Sequence, residues 1–262
     1  MAISLDDLQR RAVLSPPRMV VYAPHGIGKT SLSAFAPNPI FLRFEDGLGL
    51  LDVATFDLLR SYDDLMQAFS ELFVGKHDFL TCALDSLDWL EPIIWDETCR
   101  RNNWRSIEDT GYGKGYLAAV NVWREVMEAL NDLRNQRNMT IVMLAHCEVK
   151  RFEAPDTDPY DRYQPKLHKL ASQLVQENAD AIFFMNYRVS LVRTDPKDKN
   201  SKVRGVGGGQ RVLHTEERPA HLAKNRWRMP ASIDLPDDPA GMWPTLAQHI
   251  PFFTPHAQQK AA

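Results

Sequence analysis

The segment A-P-H-G-I-G-K-T at residues 23–30 constrains the fold of this chain more than any other feature. The apolar run before it, residues 18–23, has the composition of a buried strand, and residues 29–35 have the spacing of a helix. Glycines at positions 26 and 28 let successive backbone N–H groups point at one anion, and the start of the helix adds partial positive charge. The sequence therefore predicts an α/β fold with a phosphate-binding loop.

The loop matches the pattern G-x-x-x-x-G-K-[ST] except at its first position, where alanine replaces glycine. Lys29 is expected to reach the β- and γ-phosphates of a nucleoside triphosphate, and Thr30 to offer its hydroxyl to Mg²⁺. The alternative is an accidental glycine turn with an exposed lysine. The predicted nucleotide site comprises Ala23, Pro24, His25, Gly26, Ile27, Gly28, Lys29, Thr30 and Ser31.

Strands and helices alternate along most of the chain. The predicted strands are 18–23, 39–44, 79–84, 140–145 and 181–185, and the predicted helices are 29–35, 62–73, about 86–101, 115–137 and 167–176. This alternation predicts a mostly parallel, twisted sheet with helices on both faces. Such sheets bind ligands at the carboxyl ends of their strands.

The remaining segments are less regular. Polar, proline-containing residues 150–165 predict a surface loop. Two predicted strands, 187–194 and 210–215, flank G-V-G-G-G and indicate a C-terminal β-hairpin extension. We therefore expect an ATPase-type core over residues 1–234, with the hairpin at about 187–228, and an irregular, proline-rich tail over 235–262.

Three polar residues follow predicted strands. Asp85 is expected to hold Mg²⁺ at the strand end, although an aspartate there could also cap the next helix. Glu45 is expected to orient or deprotonate the attacking water, with Asp46 as a competitor and a solvated turn as the alternative. His146 is expected to sense the γ-phosphate, and a hydrogen-bonded histidine at a strand end is the alternative.

Composition excludes a globally basic nucleic-acid binder, since the formal net charge is −3. Residues 187–228 nevertheless hold 11 Lys or Arg against 4 Asp or Glu, a local charge of +7. The three cysteines lie far apart without a C-x-x-C pair, which predicts neither a zinc site nor a disulfide framework. With no signal-peptide pattern and no long apolar run, we expect a cytoplasmic protein without membrane contact.

Four features of the sequence, taken in chain order, resemble the RecA-like ATPase family. They are the phosphate loop, Glu45, the L-D-S at residues 84–86 and His146. The A-K-N-R-W-R at residues 223–228 is similar to the K-N-R motif of its RadA and DnaB-type branch. That resemblance implies that Lys224 and Arg226 reach the nucleotide of a neighbouring subunit and act in catalysis with Lys29, Glu45 and Asp85. It also implies ATP and Mg²⁺ as cofactors, although no base-specificity motif separates ATP from GTP.

The pattern is most similar to short, phage-encoded RecA-like ATP-binding proteins of recombination and single-strand annealing. This implies a homo-oligomeric ring or filament, single-stranded DNA as partner, a single-strand-binding protein as a further partner, and the cytoplasm of a bacterial host. The loops after the fourth and fifth strands would contact the DNA. The candidate DNA-binding residues are Lys150, Arg151, Phe152, Arg193, Lys197, Lys199, Lys202 and Arg204.

Two other functions remain open at this point. The near-neutral charge of residues 147–165 also suits a nucleotide-gated interaction module that docks a replication or packaging partner without touching DNA. A small-molecule kinase could use the same loop, but the sequence has no lid segment with paired arginines beyond the fourth strand.

Overall fold

The computed structural model describes residues 14–193 and 203–254 of the chain. The strands are β1 (Arg18–Ala23), β2 (Pro39–Arg43), β3 (Ala54–Thr55), β4 (Thr81–Asp85), β5 (Thr140–Ala154), β6 (Thr157–Pro165), β7 (Ala181–Tyr187), β8 (Ser190–Arg193), β9 (Val203–Val206), β10 (Arg211–His214), β11 (Lys224–Asn225) and β12 (Ser232–Leu235). The helices are α1 (Lys29–Ala34), α2 (Tyr62–Val74), α3 (Leu87–Asn102), α4 (Lys114–Gln136), α5 (Lys169–Asn178) and α6 (Pro239–Ala247), followed by a 3-10 turn at Pro251–Phe253. None of the helices in these ranges has both the length and the hydropathy needed to span a bilayer.

The central sheet has the strand order β12-β10-β7-β1-β5-β4-β2-β3. The strands from β7 to β3 in this order are parallel, whereas β10 and β12 add an antiparallel edge. In this register Ala23 at the end of β1 lies beside His146 of β5. The predicted mostly parallel sheet is confirmed, and its carboxyl edge brings the phosphate loop next to the strand-end residues.

The alternation of side chains along β1 divides the core into two layers. Val20 and Tyr22 face the layer covered by helices α2 to α5, whereas Met19, Val21 and Ala23 face the layer covered by α1 and α6. All five of these side chains are buried. Both faces of the sheet are therefore covered, as the sequence predicts for an α/β fold.

The prediction of a surface loop at residues 150–165 was wrong. Strand β5 continues past the sheet edge to Ala154 and turns back as β6, so that the two form an antiparallel hairpin. The Phe152 and Tyr160 rings lie opposite each other 5.3 Å apart, and the Arg162 guanidinium lies 3.8 Å from the Phe152 ring centroid. These cross-strand contacts stabilise a ribbon whose residues look loop-like in sequence.

The pairing predicted for residues 187–215 was partly wrong. Strand β8 pairs with β9, so a hairpin is present. Its second strand, β9, ends at Val206, before the glycines at 207–209, whereas the predicted second strand follows them. Strand β10 joins the central sheet instead, between β7 and β12. The segment from 194 to 202, with Lys197, Lys199 and Lys202, lies outside the described residues.

The prediction of an irregular tail was also wrong for residues 239–247, which form helix α6. Asp238 caps its first turn, and Pro239 at the start needs no helical N–H partner. Met242, Trp243 and Leu246 are buried against the layer that contains α1. Burial of this apolar face outweighs the cost of an internal proline at position 244.

Two histidines pack against each other, His214 at the end of β10 and His221 in the segment between β10 and β11. The rings of His214 and His221 have centroids 4.2 Å apart, and both rings lie near Phe184. Burial, then the neighbouring His221 and Arg188, lowers the pKa of His214 to about 4. Burial likewise lowers the pKa of His221, which also faces Arg218 and Glu217.

This pair predicts a loss of stability in mild acid. The unfolded chain takes up a proton near the ordinary pKa of 6.5, whereas folded His214 remains neutral until about pH 4, so stability is lost as pH falls between these values. We expect about 1 to 2 kcal/mol less unfolding free energy at pH 5 than at pH 8 from His214, allowing for its partial exposure. Urea unfolding at both pH values measures this, and His214→Gln should lose less than the wild type. An equal pH dependence in both proteins would contradict the prediction.

Candidate nucleotide-binding site

The carboxyl edge of the sheet gathers the predicted nucleotide-site residues. The phosphate loop follows β1, Asp85 ends β4, Glu45 lies two residues beyond β2, and His146 lies in β5 level with Ala23. A cavity of about 370 Å³ opens between them. It is lined by His25, Gly26, Gly28, Lys29, Thr30, Ser31, Glu45, Gly47, Leu48, Leu51, Asp85 and His146.

The loop has the backbone that its glycines allow. Gly26 has φ +73° and Gly28 has φ +110°. Gly28 is the N-cap residue of α1. Such left-handed conformations cost little only for glycine. The segment thus turns sharply from strand to helix, and the N-terminal N–H groups of α1 open onto the cavity.

Lys29 is buried at the base of this cavity. Its Nζ donates to the carbonyl oxygens of Ala23 and Pro24, each at 3.3 Å. Burial lowers the pKa of its ammonium group, while the nearby Asp85 opposes that shift. The lysine therefore lies buried within the loop, which contradicts the alternative of an exposed lysine on an accidental turn.

Thr30 and Asp85 form the pair of hard oxygen groups that a magnesium ion favours. The Thr30 hydroxyl donates to Asp85 Oδ2 at 2.8 Å. Asp85 is buried, and burial raises its pKa despite the Thr30 hydrogen bond and the Lys29 charge. The helix cap of α3 is Ser86, so Asp85 does not have the alternative capping role. These two oxygens fit an ion that takes its other ligands from phosphate and water.

Glu45 is held by a neighbouring strand end. The Ser86 hydroxyl donates to Glu45 Oε1 at 2.8 Å. Asp46, its competitor in the sequence, has a side chain that is 94% exposed and lies 3.7 Å from Arg43. Glu45 thus faces the cavity with a fixed carboxylate, whereas Asp46 points to solvent.

His146 is fixed by a residue that sequence reasoning missed. Its backbone N–H and its ring Nδ1 both lie 2.9 Å from the two carboxylate oxygens of Asp88, in the first turn of α3. Burial alone would raise the pKa of Asp88, but the hydrogen bonds from His146 outweigh it and lower that pKa. The His25 ring stacks on His146 with centroids 3.8 Å apart. The signal in the sequence that could have identified Asp88 is its position three residues after Asp85.

Lys224 and Arg226 do not join this cavity in the same chain. Lys224 begins strand β11 and Arg226 follows it directly, and β11 pairs with the start of β7 at the amino edge of the sheet. Arg226 Nη1 donates to Asp180 Oδ1 at 3.0 Å, and Asp180 also binds Arg18 at the start of β1. The length of β1 separates this cluster from the phosphate loop by roughly 17 Å.

The two basic side chains differ in their surroundings. Lys224 Nζ donates to the carbonyls of Gln176 at 2.7 Å and Ala179 at 2.9 Å, which caps the end of α5. The Arg226 side chain is 53% exposed. Arg226 is therefore the more accessible of the two.

Three of the candidate DNA-binding residues lie on the β5–β6 hairpin. Lys150 lies 2.6 Å from Glu148, and Arg151 lies 3.8 Å from Asp161. The Phe152 ring is flanked by Tyr160 and Arg162. Arg193 and Arg204 lie on the paired strands β8 and β9, and only their backbone is described. The structure therefore brings the hairpin basic residues next to acidic partners.

The sheet, the loop and the polar strand ends define a RecA-like P-loop fold, which confirms the predicted fold class. A family model for an AAA domain, AAA_24, matches residues 15–227. The chain belongs to this family of AAA domains.

Two individual proteins are similar to the chain. The crystal structure of the RadB recombinase aligns with a TM-score of 0.50 at 14% sequence identity, covering 87% of this chain and 90% of that chain. The SPbeta prophage-derived uncharacterized protein YorG of Bacillus subtilis (strain 168) is 21% identical over 215 residues. The match covers 80% of this chain and 59% of YorG, so it spans about three fifths of that relative.

Proposed function

We propose that this protein is a Mg²⁺-dependent ATPase that binds single-stranded DNA and hydrolyses ATP between subunits, in phage-type recombination, annealing or repair. The observation that carries the nucleotide part is the cavity in which Lys29, the Thr30–Asp85 pair and the Ser86-held Glu45 converge. The name of the RadB recombinase supports the recombination part, and the name of the prophage-derived relative supports the phage part.

The phosphate loop and four polar side chains beside it have distinct proposed roles. The loop amides and Lys29 bind the phosphates. Thr30 and Asp85 would hold Mg²⁺, which would neutralise phosphate charge. Glu45 orients the attacking water and accepts its proton, since its carboxylate is fixed by Ser86 and faces the cavity. His146, positioned by Asp88, contacts the γ-phosphate side of the nucleotide and reports its presence to β5.

The amino-edge position of Arg226 supports its action in trans. A side chain roughly 17 Å from its own phosphate loop cannot reach its own nucleotide. A head-to-tail assembly places this edge of one subunit against the carboxyl edge of the next, and such assemblies form rings or filaments. Arg226, with Lys224 beside it, would then stabilise charge on the transferred phosphoryl group.

DNA contact is proposed for the two hairpins beyond the carboxyl edge. The β5–β6 hairpin is continuous with the strand that carries His146, and Lys166 N donates to the His146 carbonyl at 2.8 Å. A change at the nucleotide can therefore reach the hairpin through one strand. The basic residues between β8 and β9 supply charge for a phosphate backbone.

Single-stranded DNA is expected to raise ATP turnover at least severalfold, because two coupled sites affect each other reciprocally. Binding to the DNA should weaken steeply with salt, since lysines and arginines release counterions. Phosphate release and filter binding with an oligonucleotide, at several salt concentrations, measure both effects.

Two matched variants locate the DNA contact. The triple variant Lys197→Ala, Lys199→Ala, Lys202→Ala should reduce the salt slope of binding, and Lys76→Ala, on an exposed lysine two residues beyond α2, should not. Equal turnover with and without DNA, together with no DNA retention, would refute the DNA part while leaving the ATPase part intact.

A second function is favoured by one observation. The charges of the β5–β6 hairpin are paired internally, and its aromatic ring at position 152 is already covered. Such a ribbon also suits a protein partner docked under nucleotide control. ATP turnover that ignores DNA but responds to a protein partner would select this function.

A further inference from the structure

An arginine of β10 holds the phosphate loop from outside the nucleotide cavity. Arg211 Nε donates to the Ile27 carbonyl at 2.8 Å, and its Nη1 donates to the Asp237 carbonyl at 3.3 Å. The guanidinium also lies 3.8 Å from the Asp237 carboxylate. Arg211 therefore joins the phosphate loop to the turn between β12 and α6.

The chemistry of the loop explains why such a donor is useful. A loop whose N–H groups converge on an anion leaves carbonyl groups facing away from it, and buried carbonyls need donors. Ile27 is buried, and Arg211 supplies the donor for its carbonyl. A guanidinium fixed beside the loop also adds to the positive potential that attracts phosphate.

Helix α6 supports the same loop by packing. A Cβ built on Gly28 would lie 3.6 Å from Met242 Cε and 3.9 Å from Arg211 Nε. Met242 is buried in the same apolar cluster as Ile27 and Leu32 of α1. Arg211 and α6 thus both lie close to the loop at Gly28, where α1 begins.

The segment that completes this contact lies beyond the residues matched by the AAA domain model. The AAA domain match ends at residue 227, whereas β12 begins at Ser232 and α6 ends at Ala247. The Asp237 carbonyl and Met242 both belong to this added segment. The phosphate loop of this chain therefore has a support that lies beyond the AAA domain match.

We propose that Arg211, together with the β12–α6 segment, positions the phosphate loop and so sets its affinity for a nucleoside triphosphate. This inference rests on the proposed nucleotide site. Arg211 is a positioning residue, because it contacts Ile27 and acts on the phosphates only through the loop. Its loss loosens the loop, which weakens triphosphate binding and leaves the groups of the chemical step in place.

The test measures binding of a fluorescently labelled ATP analogue and steady-state ATP turnover with the full chain. Arg211→Ala should raise Kd and KM about tenfold, as expected for a lost charged hydrogen bond, with kcat within about twofold. Arg211→Lys should restore part of the affinity. Arg188→Ala is the matched control, since Arg188 pairs with Asp234 on the same sheet edge and does not contact the loop.

Thermal unfolding without nucleotide separates positioning from folding. An Arg211→Ala protein with wild-type affinity for ATP would overturn the proposal. So would a lower Tm without nucleotide combined with an unchanged increase in Tm on addition of ATP. If Arg211→Ala does not fold, Arg211→Gln decides between the same two results, since it keeps bulk but lacks the charge. A wild type that binds no ATP would instead refute the proposed function.

Discussion

Replacement of Lys29 by alanine is expected to lower ATP turnover by at least about a hundredfold, the usual cost of removing a charged stabiliser of transferred phosphate. The buried Lys29 side chain lies inside the loop that lines the cavity, and among residues 14–193 and 203–254 no other lysine lines it. Its Nζ also donates hydrogen bonds to the carbonyls of Ala23 and Pro24. The substitution therefore removes these two hydrogen bonds as well as the amino group that would contact phosphate.

Phosphate release under saturating ATP and Mg²⁺ measures this effect. Lys76→Ala removes an exposed lysine two residues beyond α2 and should retain full turnover. Circular dichroism and thermal unfolding show whether Lys29→Ala keeps its fold. A folded Lys29→Ala protein with more than half of the wild-type turnover would place the chemistry elsewhere.

The parts of the site that the sequence predicts are those set by local structure. The phosphate loop is a single strand–turn–helix segment, so its glycines and its lysine identify it without knowledge of the rest of the fold. Glu45 and Asp85 lie at or just beyond the ends of apolar strands, and His146 lies where the buried part of β5 ends, level with the end of β1. Parallel strands place such positions together. Their meeting around one cavity agrees with that expectation.

The parts that were missed depend on contacts between distant segments. Asp88 binds His146 across 58 residues, and Arg211 binds Ile27 across 184 residues, so neither pair has a local pattern. Helix α6 contains a glycine and two prolines, which oppose helix in an isolated segment, and it forms because its apolar face is buried. The β5–β6 hairpin was missed because its stabilising pairs are cross-strand contacts within polar sequence.

Replacement of Arg226 by alanine is expected to lower turnover by about a hundredfold or more if subunits share the site, because an arginine finger contributes on this scale. The change should leave the fold intact, since Asp180 keeps its hydrogen bonds from Arg18 when Arg226 is removed. Arg228→Ala, two residues along on an exposed arginine, is the matched control. Light scattering should show the same assembly for both variants, which separates a lost finger from a lost interface.

Mixing two inactive variants distinguishes a finger supplied by a neighbour from one supplied by the same chain. Lys29→Ala subunits keep the finger and lack a working loop, whereas Arg226→Ala subunits keep the loop and lack the finger. In a random equal mixture, about one interface in four joins an intact loop to an intact finger, so about a quarter of wild-type turnover should return. A mixture as inactive as its components would contradict the shared site, and full activity of Arg226→Ala alone would exclude any catalytic role for Arg226. Because Arg226 lies at the edge of the sheet opposite its own phosphate loop, recovered turnover would require that subunits associate edge to edge.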